Sequence, residues 1–352
     1  MIDLASLGWG PFFSTQLDER ELLSLVPGRA VADRGPRLRV RFADGDRLVV
    51  VPGSLRVGGT VPVVGDFVLC RPAARDGEPE VARVLDRRCC LSRGAAGRAT
   101  AEQVLAANVD LVLVVQGLDV GVAPRRLERT LAAVHRSGAS PAVVLTKADL
   151  HPDPAAAEKE AREVAAGAPV LLVSAETGEG IEAVRALLTP GTTGALLGPS
   201  GAGKSSLLNA LLGERRQATA PVREGDRRGR HTTSGRELVS VPGGGLLIDG
   251  PGIRELKLWG GEGLDATFGE VAALAAGCRF RDCLHQGEPG CAVRAAVDRG
   301  ELTAERLTSY GKLAEEAARS EARRRLGAAR VERQRGKTIA RMQRVLRRVR
   351  ER

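Results

Sequence analysis

Residues 198–206 read GPSGAGKSS, directly after the apolar run GALL (194–197) and directly before the helix-like KSSLLNALL (204–212). The pattern G-x-x-x-x-G-K-[ST] between a strand and a helix is a phosphate-binding loop. Its glycines let backbone N–H groups curl around phosphate oxygens, and the helix start adds a favourable dipole. Lys204 is then expected to neutralise the β- and γ-phosphates and Ser205 to ligate Mg²⁺. Gly198, Ser200, Gly201, Ala202, Gly203 and Ser206 complete the cradle. A glycine-rich turn with a chance lysine is the bland alternative, and the flanking strand and helix argue against it.

Working outward, short apolar runs alternate with helical patterns between about residues 104 and 262. The runs are VDLVLVVQ (109–116), PAVVLT (141–146), PVLLV (169–173), GALLG and GLLID (245–249). This alternation implies a doubly wound α/β domain whose strands are buried on both faces. Thr146-Lys147-Ala148-Asp149 follows one strand. An Asp there accepts from both N–H donors on the guanine edge, a pairing that adenine does not offer, and the Lys147 stem lies along the base. Ser174-Ala175-Glu176 follows another strand, where Ser174 and Ala175 offer backbone N–H to the guanine carbonyl. Open α/β sheets bind ligands at strand C-termini. Together these segments predict GTP/GDP rather than adenine nucleotides.

Asp249 ends GLLID, where a carboxylate is expected to hold Mg²⁺ through water, and the Gly252 N–H is expected to touch the γ-phosphate. Residues 222–237, VREGDRRGRHTTSGRE, read as a mobile switch. Thr233, with Thr232 as second choice, is assigned to Mg²⁺ and γ-phosphate. Ile253 follows the DGPG turn where a water-orienting Gln is common, so His231 becomes the candidate to position water; a surface histidine without a role is its alternative. The guanine segments precede the phosphate loop, the reverse of the usual order. Joining the old ends and opening a new break elsewhere preserves a sheet, so the domain reads as a circularly permuted P-loop GTPase.

Cys278-x4-Cys283-x-His285-x5-Cys291 offers three thiolates and an imidazole within 14 residues. This complete Cys3His set predicts one structural Zn²⁺. Buried reduced cysteines are the alternative, and the polar loop RFRDCLHQGEPG argues against them. Cys70, Cys89 and Cys90 read as packing residues.

Ahead of these domains, residues 1–92 comprise an N-terminal segment and, over about 28–92, short strands that suit a small OB-type β-barrel. An SH3-like barrel fits the pattern nearly as well. Residues 93–103 read as a linker, and 263–322 as a zinc-binding helical domain. The 352-residue chain carries a net charge of +10, but residues 323–352 hold 13 Arg or Lys against two Glu. The positive charge is thus concentrated in a basic tail, which fits a polyanionic partner. No apolar run approaches the ~18 residues that cross a bilayer. The opening MIDLASLGWGPFF lacks a cationic leader. A cytoplasmic protein without a membrane partner, acting as a monomer, is expected.

The order TKAD, SAET, GPSGAGKSS, GRHTT, DGPG and CRFRDCLHQGEPGCAVRAAVDRG resembles the small-ribosomal-subunit-dependent GTPase A family of bacterial circularly permuted GTPases. The resemblance spans about residue 28 to the start of the tail. It implies late maturation of the small ribosomal subunit, binding to its rRNA, hydrolysis stimulated by the subunit, and a hydrolytic role for His231. Two departures stand out. Thr146 occupies the place of the usual Asn, which is expected to weaken an orienting hydrogen bond, and Gly250 occupies that of a Thr. The competing functions are an RNA-binding scaffold with GTP as structural ligand and a P-loop kinase acting on a small molecule.

Overall fold

The structure, a computed structural model, describes residues 3–57, 60–73, 77–94, 102–213, 236–249, 263–323 and 325–326. Five strands form the N-terminal barrel: β1 (Val26–Arg34), β2 (Arg37–Phe42), β3 (Gly45–Val50), β4 (Phe67–Arg71) and β5 (Glu80–Val84). They close in the order β1-β2-β3-β5-β4-β1, with a parallel contact only between β3 and β5. A short helix, Gly53–Val57, lies between β3 and β4. This is the OB arrangement, and it sets aside the SH3-like alternative. The alternation of RLRVRF produces it locally. Leu38, Val40 and Phe42 point into the barrel core with Val49, Val68, Cys70 and Val81, while Arg37, Arg39 and Arg41 face outward.

The N-terminal segment docks on this barrel. Phe13 is buried, with its ring 4.3 Å from that of Phe67, and Trp9 meets Phe67 edge-on at 5.1 Å. Beneath them Arg29 of β1 is fully enclosed. It donates to the carbonyls of Leu7, Gly65 (3.2 Å) and Asn108 (3.1 Å). Burial lowers its pKa to about 10, so it stays charged at neutral pH. A buried charge is tolerable only when hydrogen-bonded, and here three segments distant in sequence supply the acceptors.

After the barrel, β6 (Cys90–Gly94) and β7 (Glu102–Ala107) pair as an antiparallel two-stranded sheet. The remaining strands are β8 (Leu111–Gly117), β9 (Ser140–Thr146), β10 (Val170–Val173), β11 (Thr193–Leu197), β12 (Glu237–Ser240) and β13 (Leu246–Asp249). In space β10-β9-β8-β11-β13 run parallel, as expected for buried apolar strands. Alternate residues feed two cores. Val112, Val114, Val143 and Leu145 pack with Leu127, Leu131 and Val134 of the helix Pro124–Arg136. Leu113, Val115, Val144 and Leu247 pack with Leu207, Leu208 and Leu211 of the helix Lys204–Leu212.

β12 is the element that sequence patterning does not announce. It runs antiparallel to β13 and also meets β1, through Ala32 opposite Glu237, so barrel and α/β domain share one continuous sheet. An ion pair between Arg39 of β2 and Glu237 reinforces the join.

The C-terminal region packs Leu264, Phe268, Val271, Val293, Leu302 and Leu313 against Ala132 of the Pro124–Arg136 helix. Helical residues 304–323 carry Arg306 and Ser309, which bond the buried carboxylate of Glu128 on that helix, Arg306 at 2.5 Å. Arg306 also donates to Glu270 (2.6 Å) and to the Thr267 carbonyl (2.7 Å), and its guanidinium lies 4.2 Å from the Phe268 ring centroid. Among the described residues, no helix is long and apolar enough to cross a membrane.

Candidate nucleotide site and metal centre

Because β9, β10, β11 and β13 are parallel, Thr146, Ser174, Gly198 and Asp249 all emerge along one edge of the sheet. Four short motifs, scattered over more than 100 residues of sequence, therefore meet at one sheet edge, where open α/β sheets form their ligand crevice. The phosphate loop bends back through Gly201 and Gly203, both at φ +81°. Gly203 precedes the Lys204–Leu212 helix, whose N-terminus has no side-chain cap. Its backbone N–H groups are thus the natural donors for a phosphate. Lys204, first in the helix, donates from Nζ to the Gly198 carbonyl at 2.8 Å, so the ammonium lies across the loop. Ser205 and Ser206 follow in the first turn, both part-buried, while Ser200 is exposed at the loop tip.

The first candidate guanine segment is locked to this loop. The Thr146 hydroxyl, buried at the end of β9, donates to the Ala202 carbonyl at 2.6 Å, with a longer contact of 3.3 Å to Gln116 O. A Cβ on residue 203 would stand 3.0 Å from Thr146 Oγ1, so the glycine permits the close approach. Thr146, in the place of the usual Asn, thus keeps a side-chain hydrogen bond to the phosphate loop through its hydroxyl. Lys147 adopts a left-handed backbone (φ +59°), and its Nζ pairs with Asp119 Oδ2 at 2.6 Å. Asp149 is exposed on the turn Ala148–Leu150.

Ser174 is buried and organises the second candidate guanine segment. Its hydroxyl accepts from Thr177 N–H at 3.2 Å, and its own N–H donates to Glu179 O at 3.0 Å. Ala175 is half-buried beside it. Asp249 closes β13, opposite Glu237 of β12. His231, Thr232, Thr233, Gly250, Gly252 and Ile253 lie outside the described residues. Sequence reasoning missed Asp119 and Gln116, which lie at and just beyond the end of the central strand β8. No motif marks them, and only strand order brings them to the site.

Away from this crevice, the donor atoms of Cys278, Cys283, His285 and Cys291 all lie within 4.8 Å of one another. Cys278 Sγ and Cys291 Sγ stand 4.0 Å apart, and His285 Nδ1 is 3.7 Å and 3.5 Å from them. Ligands about 2.0–2.3 Å from a tetrahedral Zn²⁺ have such mutual spacings, so the residues fit that ion. Local structure holds the set. His285 takes φ +59°, the Glu288 carboxylate gathers the N–H groups of Leu284 and Gln286 at 2.8 Å, and Cys291 caps the helix Ala292–Asp298. Cys70 and Cys89, by contrast, are buried thiols whose pKa values desolvation raises to about 12 and about 11.

A family model described as RsgA GTPase matches residues 84–259, which hold every guanine, phosphate-loop and switch segment. The small ribosomal subunit biogenesis GTPase RsgA of Opitutus terrae is 46% identical over 360 residues, covering 98% of both chains. The chain belongs to the RsgA GTPase family. Two solved structures are similar to this RsgA-family fold. YjeQ from Thermotoga maritima has a TM-score of 0.65 at 28% identity, covering 84% of this chain and 99% of that one. YloQ, a circularly permuted GTPase, has a TM-score of 0.62 at 26% identity, covering 84% of this chain and 95% of that one. The permuted order of motifs read from the sequence is therefore the architecture of the family.

Proposed function

We propose that this chain hydrolyses GTP to GDP and phosphate during late maturation of the small ribosomal subunit, in the bacterial cytoplasm. The convergence of Thr146, Ser174, Gly198 and Asp249 at one edge of a permuted sheet carries this reading. Asp149 selects guanine by accepting from the two N–H donors on the guanine edge, and Lys147 lays its stem along the base. Ser174 and Ala175 position backbone N–H for the guanine carbonyl. Gly198, Ser200, Gly201, Ala202, Gly203 and Ser206 form the phosphate cradle, and Lys204 leaves the loop carbonyls to meet the β- and γ-phosphates. Ser205, Thr233 and Asp249 are the residues for Mg²⁺, which when bound neutralises phosphate charge. His231 orients the attacking water, and Gly252 reports the γ-phosphate.

Cys278, Cys283, His285 and Cys291 hold a structural Zn²⁺, with all four positions filled by protein and none left for chemistry. The subunit's rRNA is met mainly through phosphates. Phe42 and Phe67, the aromatics of the barrel strands, are buried, so they offer no platform for base stacking. Three outward arginines of the barrel have carboxylate partners: Arg37 with Glu78, Arg41 with Asp46, Arg47 with Asp44. The basic tail is left as the main electrostatic contact, and the protein acts as a monomer.

GTP turnover with small subunits, with large subunits and with neither tests the reading. Small subunits alone are expected to accelerate it. Lys204→Ala is expected to lose nucleotide binding, and His231→Ala to bind normally but hydrolyse slowly. Preference for ATP, or turnover indifferent to small subunits, overturns the assignment. Transfer of phosphate to a metabolite would favour a kinase instead.

A further inference from the structure

We propose that Asp119 is a positioning residue for purine binding, acting through Lys147; the inference rests on the guanine-site reading above. Asp119 lies on the turn Leu118–Val120 that leaves β8, the strand between β9 and β11 in the sheet. It therefore stands between the guanine segment and the phosphate loop. Residue 117 has no side chain, and a Cβ there would come 2.6 Å from Asp119 Oδ1 and 3.5 Å from Ala202 Cα. The space that a larger residue would fill is given to the carboxylate and the loop.

Lys147 is fixed at both ends. Its backbone is held at φ +59°, uncommon for a side-chain-bearing residue, and its ammonium is tethered by Asp119 at 2.6 Å. A four-carbon stem stretched between two fixed points presents one apolar surface rather than many. That is what a flat purine ring needs beneath it, and it reduces the ordering cost of binding. An acid so near a triphosphate would by itself repel it. Pairing with Lys147 offsets that repulsion, and an isolated structural carboxylate would have no reason to accept this place.

The assignment predicts a loss confined to the base side of the ligand. Titration of the full-length protein with Mg²⁺–GTP and Mg²⁺–GDP is the test. Asp119→Ala is expected to weaken both by the same factor, about three- to tenfold, in the lower part of the range over which contacting side chains such as Asp119 and Lys147 couple. The KM for GTP should rise with it while kcat stays within about twofold, and Asp119→Glu should recover most of the affinity. The double variant with Lys147→Ala should bind no worse than Lys147→Ala alone. Asp119→Asn, which keeps the shape, should behave like Asp119→Ala. Unchanged affinity, additive losses in the double variant, or a loss falling on GTP but not GDP overturns the inference and leaves the guanine site standing. Loosened preference for GTP over ATP also overturns it, because Asp119 would then touch the base itself. If the unaltered protein binds no guanine nucleotide, the site reading fails and this inference with it.

Discussion

The Thr146 hydroxyl donates to the Ala202 carbonyl at 2.6 Å, so one side chain ties the strand that presents the base-reading segment to the loop that presents the phosphate donors. Ala202 is only 4% exposed, which leaves water little access to replace that donor. Thr146→Val keeps the shape and deletes the hydroxyl. An unsatisfied buried acceptor costs about 1–3 kcal/mol, and the strain falls on the phosphate loop. Calorimetric titration is expected to show guanine-nucleotide affinity reduced about tenfold with unchanged preference for GTP over ATP. Thr146→Ser is expected to restore it.

Glu128 and Arg306 connect the α/β domain to the zinc-bearing region from positions almost closed to solvent, with side chains 4% and 11% exposed. Breaking a buried pair costs about 3–5 kcal/mol where the remaining charge is left alone; Glu270 and the Thr267 carbonyl keep Arg306 partly paired, so the lower end of that range applies. Urea denaturation of Glu128→Leu is expected to show a loss of that size. Arg306→Met should lose a comparable amount, and the double variant should lose clearly less than the two together. Additive losses would show that each side chain acts through other neighbours.

Cys291 serves the cluster twice, as a metal donor and as the cap that accepts the Arg294 N–H at 3.4 Å. Cys291→Ser is expected to abolish the bound equivalent of zinc and to speed amide exchange across 292–298. Nucleotide affinity should stay as it was, because the cluster lies away from the crevice. Metal analysis and hydrogen exchange on the same preparation check both halves.

Binding to isolated small subunits is expected to fall steeply with salt, because each phosphate contact releases counterions. Deleting residues 327–352 should flatten the slope of log affinity against log salt more than it changes affinity at high salt. An unaltered slope would move the contact to the folded domains.

The nucleotide segments were legible because each is local. A glycine-rich loop or an Asp after an apolar run declares itself within ten residues, and parallel strands then bring the segments together by topology alone. The zinc set was legible for the same reason, with four donors inside 14 residues. What escaped depends on partners far along the chain. β12 is a four-residue strand whose neighbour β1 belongs to the barrel, and nothing in ELVS names that partner. Arg29 looks like any strand arginine until three remote carbonyls surround it. Asp119 gains meaning only from the strand order that sets β8 beside β9. The contact that Thr146 makes was hidden for a related reason, since it depends on how closely Gly203 lets the loop approach.

The strand ladder that runs unbroken from β10 through β12 into the barrel bears on how the molecule is cut for study. A fragment starting near residue 104 would strip β1 and Arg39 from β12 and leave a bare rim of peptide groups beside the segment that leads to Asp249. Exposed rims of that kind recruit foreign strands. Such a truncated protein is expected to self-associate, and its sluggish turnover would report the wound rather than the work of the missing barrel.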